Sequence, residues 1–283
     1  MKSINIKAPA KINIGLNILS KRPDGYHNLS TLFYPLHDLC DELSFYKSGE
    51  NKFIYDESII ELSGENLVLK AKSIIENYVN KELKVEIILE KRIPIGAGLG
   101  GGSSDAGATL ISLNELFALK LSHSDLMKLA LQLGSDVPFF IKSKPAIGKS
   151  RGEVLAPLNF HITFPILVVN PIIHVSTKKA FNLLKSFSLE KEIIINSPQS
   201  FNDVKEFRHI FSNDFEQPVF ELYPEIKEIK EALYSQGAGF ASMTGSGSTV
   251  FGIFENEEQA EKARNIFPEK YLRFISRPVM ELM

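Results

Sequence analysis

Residues 94–109, PIGAGLGGGSSDAGAT, are the part of the chain that most limits its fold. Five of the nine residues 94–102 are glycine, and two serines follow them. An alternating apolar run over 85–89 precedes the segment, and a helical pattern of apolar residues begins at Ala106. This order predicts a strand, a glycine-rich loop and then the N-terminus of a helix.

Such a loop can bind an anion through its backbone. Glycine adopts positive φ without strain and lets a ligand approach the chain closely. The loop N–H groups, beside the positive end of a helix dipole, then form a cradle for phosphate. Ser103 and Ser104 are expected to cap the helix, with hydroxyls that reach a phosphate or Mg²⁺. The alternative is a flexible surface turn, but linkers rarely sit tightly between a strand and a capped helix.

Two common phosphate-binding loops do not fit the segment. Gly96, Gly98 and Gly101 match the spacing G-x-G-x-x-G. A dinucleotide-binding fold also needs a second strand that ends in an acidic residue, whereas Glu115 falls at that distance inside the predicted helix. A Walker A loop needs a Lys-Ser/Thr pair after the glycines, and none follows here.

Composition restricts the remaining function classes. A chain of 283 residues with 44% hydrophobic content can bury the core of one large or two modest domains. The net charge of −2 gives no basic surplus for nucleic acid or an anionic membrane. Cys40 is the only cysteine, which excludes an intrachain disulfide. The beginning of the chain lacks a signal-type apolar core, and no apolar run is long enough to span a membrane, so we expect a cytoplasmic protein.

The pattern restarts near residue 150 and predicts a second domain. Its predicted elements are a strand at Pro165–Asn170, a short helix capped by Ser176-Thr177, a long helix from Glu216 or Pro224 to Gln236, strands at Phe240–Met243 and Thr249–Phe254, a helix at Glu257–Ile266 and a strand at Leu272–Ser276. This order is compatible with a ferredoxin-like layer. We therefore expect an α+β fold of two domains, 1–152 and 153–283, that meet at a cleft, with the last strand able to return to the first domain.

Three segments in this order resemble motifs of the GHMP kinase superfamily, which includes galactokinase, homoserine kinase and mevalonate kinase. They are APAKIN at 8–13, the glycine-rich loop, and GSDVPF at 134–139. The resemblance implies the GHMP kinase fold, with ATP and Mg²⁺ as cofactors and no identified metal ligands. It assigns ATP binding to Pro94, Ile95, Gly96, Ala97, Gly98, Leu99, Gly100, Gly101, Gly102, Ser103 and Ser104.

The same resemblance assigns a catalytic pair. From the residues alone, Lys11 reads as an exposed edge-strand lysine, and Asp136 reads as a turn or cap aspartate. In the superfamily the matching aspartate accepts or orients the proton of the substrate hydroxyl, and the lysine keeps that aspartate ionised and balances developing charge. Asn13, on the same strand face as Lys11, joins the substrate-binding residues.

The segment RPDGYHNL at 22–29 indicates which molecule accepts the phosphoryl group. Alone it predicts a hairpin with an exposed aromatic side chain. It resembles the signature loop of a GHMP kinase branch that phosphorylates a cytidine-diphosphate polyol. That resemblance implies that Tyr26 stacks on cytosine and His27 binds the base edge. A second segment, 175–181, resembles another motif of that branch, which implies that Thr177 binds the substrate and that Phe181 closes the other side of the base. Phe181 fits equally well as the core residue of an amphipathic helix.

Residues 241–247, ASMTGSG, resemble the third superfamily motif, a glycine turn that backs the phosphate cleft. Thr244 stands where serine is more usual, a change that keeps the hydroxyl and is expected to be harmless. Ala97 and Asp105 stand where glycine and asparagine are common. A carboxylate at 105 is favourable if it lies in the first turn of the helix.

The sequence therefore predicts a GHMP kinase that moves the γ-phosphoryl group of ATP to a hydroxyl of a cytidine-diphosphate polyol. We expect a monomer or weak homodimer without nucleic-acid or membrane partners. One alternative is a GHMP kinase for another alcohol, such as homoserine. The other is a non-catalytic nucleotide-binding regulator, against which the presence of Lys11 and Asp136 counts.

Overall fold

The computed structural model describes residues 2–56, 66–187, 191–195 and 203–278. The strands are β1 (Ser3–Lys21), β2 (His27–Lys47), β3 (Lys52–Tyr55), β4 (Val85–Glu90), β5 (Ala146–Ser150), β6 (Val154–Pro157), β7 (Ile166–Asn170), β8 (Phe240–Met243), β9 (Val250–Ile253) and β10 (Leu272–Ser276). The helices are α1 (Leu67–Val79), α2 (Gly101–Leu116), α3 (His123–Leu133), α4 (Val137–Phe140), α5 (Thr177–Leu183), a 3₁₀ helix (Val204–Glu206), α6 (Phe207–Ile210), α7 (Glu216–Leu222), α8 (Pro224–Ser235) and α9 (Glu257–Asn265). The mixed polarity of 190–202 predicts a loop, but most of that segment lies outside the described residues.

The chain divides into two compact units, and the long strands β1 and β2 contribute residues to both. The first unit takes the described residues of 1–10, 35–95 and 100–144, and the second takes those of 11–34, 96–99 and 145–283. Each unit is thus assembled from separate stretches of chain. The continuous domains 1–152 and 153–283 stay a prediction. None of the described helices is long and apolar enough to cross a membrane.

The first unit confirms the predicted strand, loop and helix around the glycine-rich segment. Strand β4 lies antiparallel to β2 and parallel to β3. Its alternate residues Val85, Ile87 and Leu89 are buried. They share one core with Leu110 and Leu113 of α2, because both elements turn their apolar face inward.

The sequence also predicts helix starts at Asn66 and at Ser122-x-x-Asp125, and the structure confirms both. The side chain of Asn66 accepts a hydrogen bond from the N–H of Val68 at 2.8 Å and caps α1. Ser122 and Asp125 form a reciprocal capping box at the start of α3.

The predicted cap of α2 is wrong. Helix α2 begins at Gly101, after Gly100 in a left-handed conformation with φ 75°, so Ser103 and Ser104 lie inside its first turn. A Cβ on Gly101 would lie 3.0 Å from the Cγ2 of Ile93. Glycine therefore lets the helix begin earlier, packed tightly against the strand exit.

The sequence predicts that the helix opened by Ser122 ends at Gly134 and that Pro138 prevents a return to helix. The end is confirmed, but the role of Pro138 is wrong. Pro138 lies in the first turn of α4, where a proline is tolerated because no intrahelical N–H is needed. Similarly, α8 begins at Pro224, the later of the two predicted starts, and Tyr223 separates it from α7.

The second unit confirms the ferredoxin-like layer. Its four-stranded sheet has the order β10-β7-β9-β8, and all its pairings are antiparallel. In chain order these strands are the fourth, first, third and second, the arrangement of a split β-α-β fold. Helix α8 packs on β8 and β9, and α9 packs on β7 and β10. The same unit also contains the antiparallel ladder β2-β5-β6.

A buried charged cluster joins β2, β4 and α2 in the first unit. Lys91 forms ion pairs with Asp41 and, at 2.8 Å, with Asp105. Burial raises the pKa of Asp105 to about 7, against the opposing effect of Lys91. Burial alone would lower the pKa of Lys91, but the two carboxylates outweigh it and raise that pKa. The sequence analysis did not identify Lys91 or Asp41.

We predict that Gly101→Val destabilises the protein by about 1–3 kcal/mol, the usual cost of overpacking. The new side chain would meet Ile93 and the Nζ of Lys91, which lies 3.2 Å from the Cβ position. Gly102→Ala is the matched control, because its Cβ would contact only Leu67 at an ordinary 3.6 Å. Urea denaturation measures both. Equal destabilisation by the two variants would contradict this packing.

Asp105→Asn is predicted to stabilise the protein in a pH-dependent way. Because the pKa of Asp105 is raised on folding, the folded state holds its proton more tightly than the unfolded state. Relative to the variant, the wild type should therefore lose stability as pH rises from about 4 to about 7, with a slope approaching about 1.4 kcal/mol per pH unit. Below that window the two should be equally stable. Thermal unfolding across pH checks this, and a difference that does not change with pH would contradict it.

Candidate active site

The predicted site residues fall in both units. The first unit holds Pro94, Ile95, Gly100, Gly101, Gly102, Ser103, Ser104 and Asp136, and the second holds Lys11, Asn13, Tyr26, His27, Gly96, Ala97, Gly98, Leu99, Thr177 and Phe181.

Within the second unit, the carbonyl groups of loop residues 97–99 accept hydrogen bonds. The carbonyl of Ala97 accepts from the N–H of Thr249 at 3.3 Å. Lys11 donates twice, from its backbone N–H to Leu99 at 2.9 Å and from Nζ to the Gly98 carbonyl at 3.0 Å. These bonds hold the backbone of residues 97–99, and Gly98 has φ 78°, a conformation found in backbone nests that bind anions through N–H groups.

The third motif packs directly against this part of the loop. A Cβ on Gly98 would lie 2.5 Å from the carbonyl oxygen of Thr244 and 2.9 Å from that of Gly247. No other residue fits there without moving the backbone. Gly96 has a similar neighbour, since its Cβ would lie 2.8 Å from Nδ1 of His174, an exposed residue that the sequence analysis did not select.

Lys11 is buried, with 3% of its surface exposed, so the interpretation of an exposed edge-strand lysine is wrong. Its Nζ donates to Oδ1 of Asn13 at 2.6 Å as well as to the Gly98 carbonyl. The ammonium also lies 5.8 Å from the centre of the Phe33 ring. A buried ammonium requires such partners, because losing its hydration is costly.

Asn13 connects this lysine to the third motif. Its backbone N–H donates to Oγ1 of Thr244 at 2.9 Å, and its Nδ2 donates to Oγ1 of Thr31 at 2.8 Å. The Thr244 hydroxyl lies 3.3 Å from Oδ1 of Asn13. The hydroxyl that threonine shares with serine is therefore used, which explains why either residue fits.

Two buried asparagines that the sequence analysis missed support the third motif. Asn213 donates from Nδ2 to the carbonyls of Met243 and Gly245 at 2.7 and 2.9 Å. Asn170 donates to the hydroxyls of Ser248 and Thr249 at 3.1 and 2.9 Å. Neither lies in a recognisable motif, and only their distant partners give them a role.

In the first unit, the beginning of α2 combines exposed backbone with a buried hydroxyl. Gly102 is exposed, whereas Ser104 is buried and its Oγ has no hydrogen-bond partner among the described residues. The positive end of this 16-residue helix favours an anion. Asp136 is half-buried at the N-cap position of α4, and its side chain does not cap that helix.

The loop that carries Tyr26 is held by an arginine–aspartate pair in the second unit. Arg22 donates to both oxygens of Asp24, and Asp24 accepts from the N–H of Tyr26 at 3.1 Å. Arg22 lowers the pKa of Asp24 through this hydrogen bond. Gly25 completes the predicted turn with φ 84°. Tyr26 is consequently presented with 53% of its surface exposed, and the guanidinium of Arg151 lies 4.5 Å from its ring centre.

His27 stacks on Phe181, with ring centres 4.6 Å apart and planes 15° apart. One face of Phe181 is thus covered by the imidazole. Partial burial and the nearby charge of Lys21 lower the pKa of His27, which favours the neutral ring at neutral pH. Thr177, at the start of α5, shares a 3.0 Å hydrogen bond with Ser246 of the third motif.

Comparisons with known families agree with this arrangement. The family model described as GHMP kinases N terminal domain matches residues 66–144, and the model described as GHMP kinases C terminal matches residues 190–272. Together the two matches cover more than half of the chain.

Curated relatives match over most of their length. A 4-diphosphocytidyl-2-C-methyl-D-erythritol kinase of Bacteroides fragilis is 44% identical over 261 residues, which cover 89% of this chain and 93% of the relative. Another protein of that name, from Thermodesulfovibrio yellowstonii, is 38% identical over 289 residues, which cover 99% of both chains.

Solved structures show the same relation. A crystal structure of 4-(cytidine 5'-diphospho)-2C-methyl-D-erythritol kinase superimposes with a TM-score of 0.79 at 32% identity, over 96% of this chain and 98% of that one. Homoserine kinase from Cytophaga hutchinsonii gives a TM-score of 0.76 at 21% identity, over 98% and 96% of the two chains, and shares the fold. This chain belongs to the GHMP kinase superfamily, within the family of 4-diphosphocytidyl-2-C-methyl-D-erythritol kinases.

Proposed function

We propose that the protein transfers the γ-phosphoryl group of ATP to a hydroxyl of 4-diphosphocytidyl-2-C-methyl-D-erythritol, giving the 2-phosphate in the non-mevalonate isoprenoid pathway. The observation that carries the chemistry is the buried ammonium of Lys11, bonded to the Gly98 carbonyl. A cation fixed beside a phosphate-binding loop can stabilise the charge that develops during phosphoryl transfer.

ATP would be bound by residues 94–104. Supporting evidence is the loop whose carbonyls are engaged elsewhere and the helix N-terminus that follows it. Magnesium would be held mainly by the phosphate oxygens of ATP, as this ion commonly is. Among the described residues, no group of three or more acidic, histidine or cysteine side chains could hold a metal ion.

Lys11 and Asp136 would form the catalytic pair. They belong to different units, and the family resemblance supplies their pairing. Asp136 would accept or orient the proton of the acceptor hydroxyl. Lys11 would keep that carboxylate ionised and balance the charge of the transferring group.

The acceptor's cytosine would stack on Tyr26. Arg151 covers one face of that ring, so the base would take the opposite face. A neutral His27 offers one donor and one acceptor nitrogen to the base edge. Phe181 would hold the imidazole in place by stacking on it, with Thr177 and Asn13 completing the acceptor site.

A panel of phosphoryl acceptors tests the proposed function. Pure protein, ATP and Mg²⁺ are incubated with 4-diphosphocytidyl-2-C-methyl-D-erythritol, its uridine analogue, homoserine or mevalonate. We expect fast transfer to the cytidine compound alone. Preference for homoserine would indicate another GHMP kinase, and no transfer to any acceptor would indicate a nucleotide-binding regulator.

We predict that Asp136→Asn lowers turnover by at least about 10²-fold, the usual scale for an acid–base group. Lys11→Met should cost a comparable factor, since it removes the charge that supports Asp136. The double variant should be little worse than either single one, because the two residues act together. Steady-state kinetics on all three variants provides the measurement.

Glu42→Gln removes a partly exposed carboxylate of the first unit and is the control for loss of a negative charge. This variant should keep full turnover. Thermal unfolding and ATP affinity should be nearly unchanged in Asp136→Asn. Losses that multiply in the double variant would argue against a catalytic pair.

Tyr26→Ala is predicted to weaken acceptor binding by roughly 1–3 kcal/mol, the range for loss of one base–aromatic stack. Tyr26→Phe should be nearly silent because the ring supplies the stacking surface. His27→Ala should reduce discrimination between cytidine and uridine acceptors by leaving base-edge atoms unpaired. Acceptor and ATP KM values are measured for each variant, and only the acceptor KM should change.

Tyr78→Ala is the matched control for loss of an exposed tyrosine. Tyr78 lies in the first unit, and 49% of its surface is exposed. It should leave both KM values unchanged. An acceptor KM that stays constant in Tyr26→Ala would refute the cytidine site and favour a kinase for another alcohol.

A further inference from the structure

We infer that Asp41, Lys91 and Asp105 form a clamp that holds both ends of the glycine-rich loop and thereby sets the affinity of the protein for ATP. The three residues are positioning residues of the nucleotide site. The predicted effect on ATP binding rests on the proposed function. The arrangement of the three residues rests on contacts within the first unit.

Asp41 fixes the entrance of the loop. Its Oδ1 accepts from the backbone N–H groups of Arg92 and Ile93 at 2.6 and 2.9 Å, while its Oδ2 accepts from Nζ of Lys91. The carboxylate is fully buried. Three donors from consecutive residues converge on one carboxylate, which holds the chain in one path as it leaves β4.

Lys91 fixes the exit of the loop. Its Nζ donates to Oδ2 of Asp105 at 2.8 Å. Because α2 begins at Gly101, Asp105 lies in its second turn, and the expected place in the first turn is wrong. The same Nζ lies 3.2 Å from the position that a Cβ on Gly101 would take, so the lysine side chain packs against the beginning of α2. One ammonium thus connects the strand before the loop to the helix after it.

The carbonyls of residues 97–99 are bonded within the second unit, and the clamp adds anchors at the two ends of the loop. Gly96, Gly98 and Gly100 have φ values of 68°, 78° and 75°. Glycine loses more conformational freedom on ordering than any other residue, so a loop released at its ends would have to be ordered when ATP binds. Part of the binding free energy would then be lost to ordering, and affinity would fall.

The clamp also accounts for the aspartate at 105. Oδ2 of Asp105 accepts from Lys91, whereas Oδ1 is buried without a hydrogen-bond partner among the described residues. One oxygen is sufficient for the contact, and asparagine would supply it. Asp105→Asn should therefore keep the clamp, whereas Lys91→Met removes the group that joins both carboxylates and leaves them buried without their cation.

The test compares Lys91→Met, Asp41→Asn and Asp105→Asn with two controls. Lys52→Met and Glu86→Gln remove the two members of the Lys52–Glu86 ion pair in the same unit, which shares no residue with the clamp or the loop. Backbone amide hydrogen exchange is followed without nucleotide, and the Kd for ATP is measured by calorimetry without acceptor. Asp41→Asn keeps the shape of the side chain and provides a milder variant if Lys91→Met fails to fold.

For Lys91→Met we expect amide exchange over 92–104 to become about tenfold faster, with exchange in the core of α1 unchanged. The Kd for ATP should rise by about tenfold, while the acceptor KM stays within about twofold of wild type. Asp41→Asn should follow in the same direction, and Asp105→Asn and both controls should bind ATP like the wild type.

Three results would overturn the clamp. Weaker ATP binding with unchanged exchange would mean that Lys91 contacts the nucleotide directly. Faster exchange throughout the first unit would mean a purely structural role. Unchanged exchange and Kd would mean no role. A wild-type protein that binds no ATP would instead refute the proposed function, and the exchange comparison would still decide whether the clamp orders the loop.

Discussion

One interaction organises the candidate site in the second unit, the hydrogen bonds of a buried ammonium. Lys11 is removed from water, and its Nζ donates to Asn13 and to the Gly98 carbonyl. Removing a charge from water is expensive unless its donors are satisfied, so the positions of these acceptors are restricted. Asn13 in turn binds Thr244 and Thr31, and the network extends through β1, β2 and the third motif. A cation held in this way has little freedom to reorganise when charge develops beside it.

Glycines in the loop act in two different ways. At Gly98, a side chain would collide with carbonyl oxygens of the third motif. At Gly101, a side chain would be crowded by Ile93 and Lys91. Both permit close packing within the protein. Gly102 is exposed and has room for a side chain, so its open side faces away from these neighbours. Glycine richness alone therefore does not distinguish a ligand-facing position from a packed one.

Local signals in the sequence predicted much of the fold. Asn66 and the pair Ser122 and Asp125 cap their helices as expected, because capping involves residues only two or three positions apart. The start of α2 was mispredicted because tight packing of Gly101 overrides the capping preference of the two serines. The third motif and Lys11 were found through resemblance. The hydrogen bond that connects the two segments runs from the N–H of Asn13 to Oγ1 of Thr244, across more than two hundred residues, and was not readable from either segment alone.

The buried cluster shows most clearly why part of a site escapes sequence analysis. Asp41 and Lys91 are 50 residues apart, and each is surrounded by ordinary strand sequence. Only Asp105 attracted notice, as a departure from the asparagine common at its position. In the structure, Asp105 is the second carboxylate beside Lys91, which already pairs with Asp41. Burial raises the pKa of Asp105. The substitution is tolerated because an oxygen atom remains where Lys91 needs it. What the position requires is a hydrogen-bond acceptor in the second turn of the helix, whether or not that acceptor carries a charge.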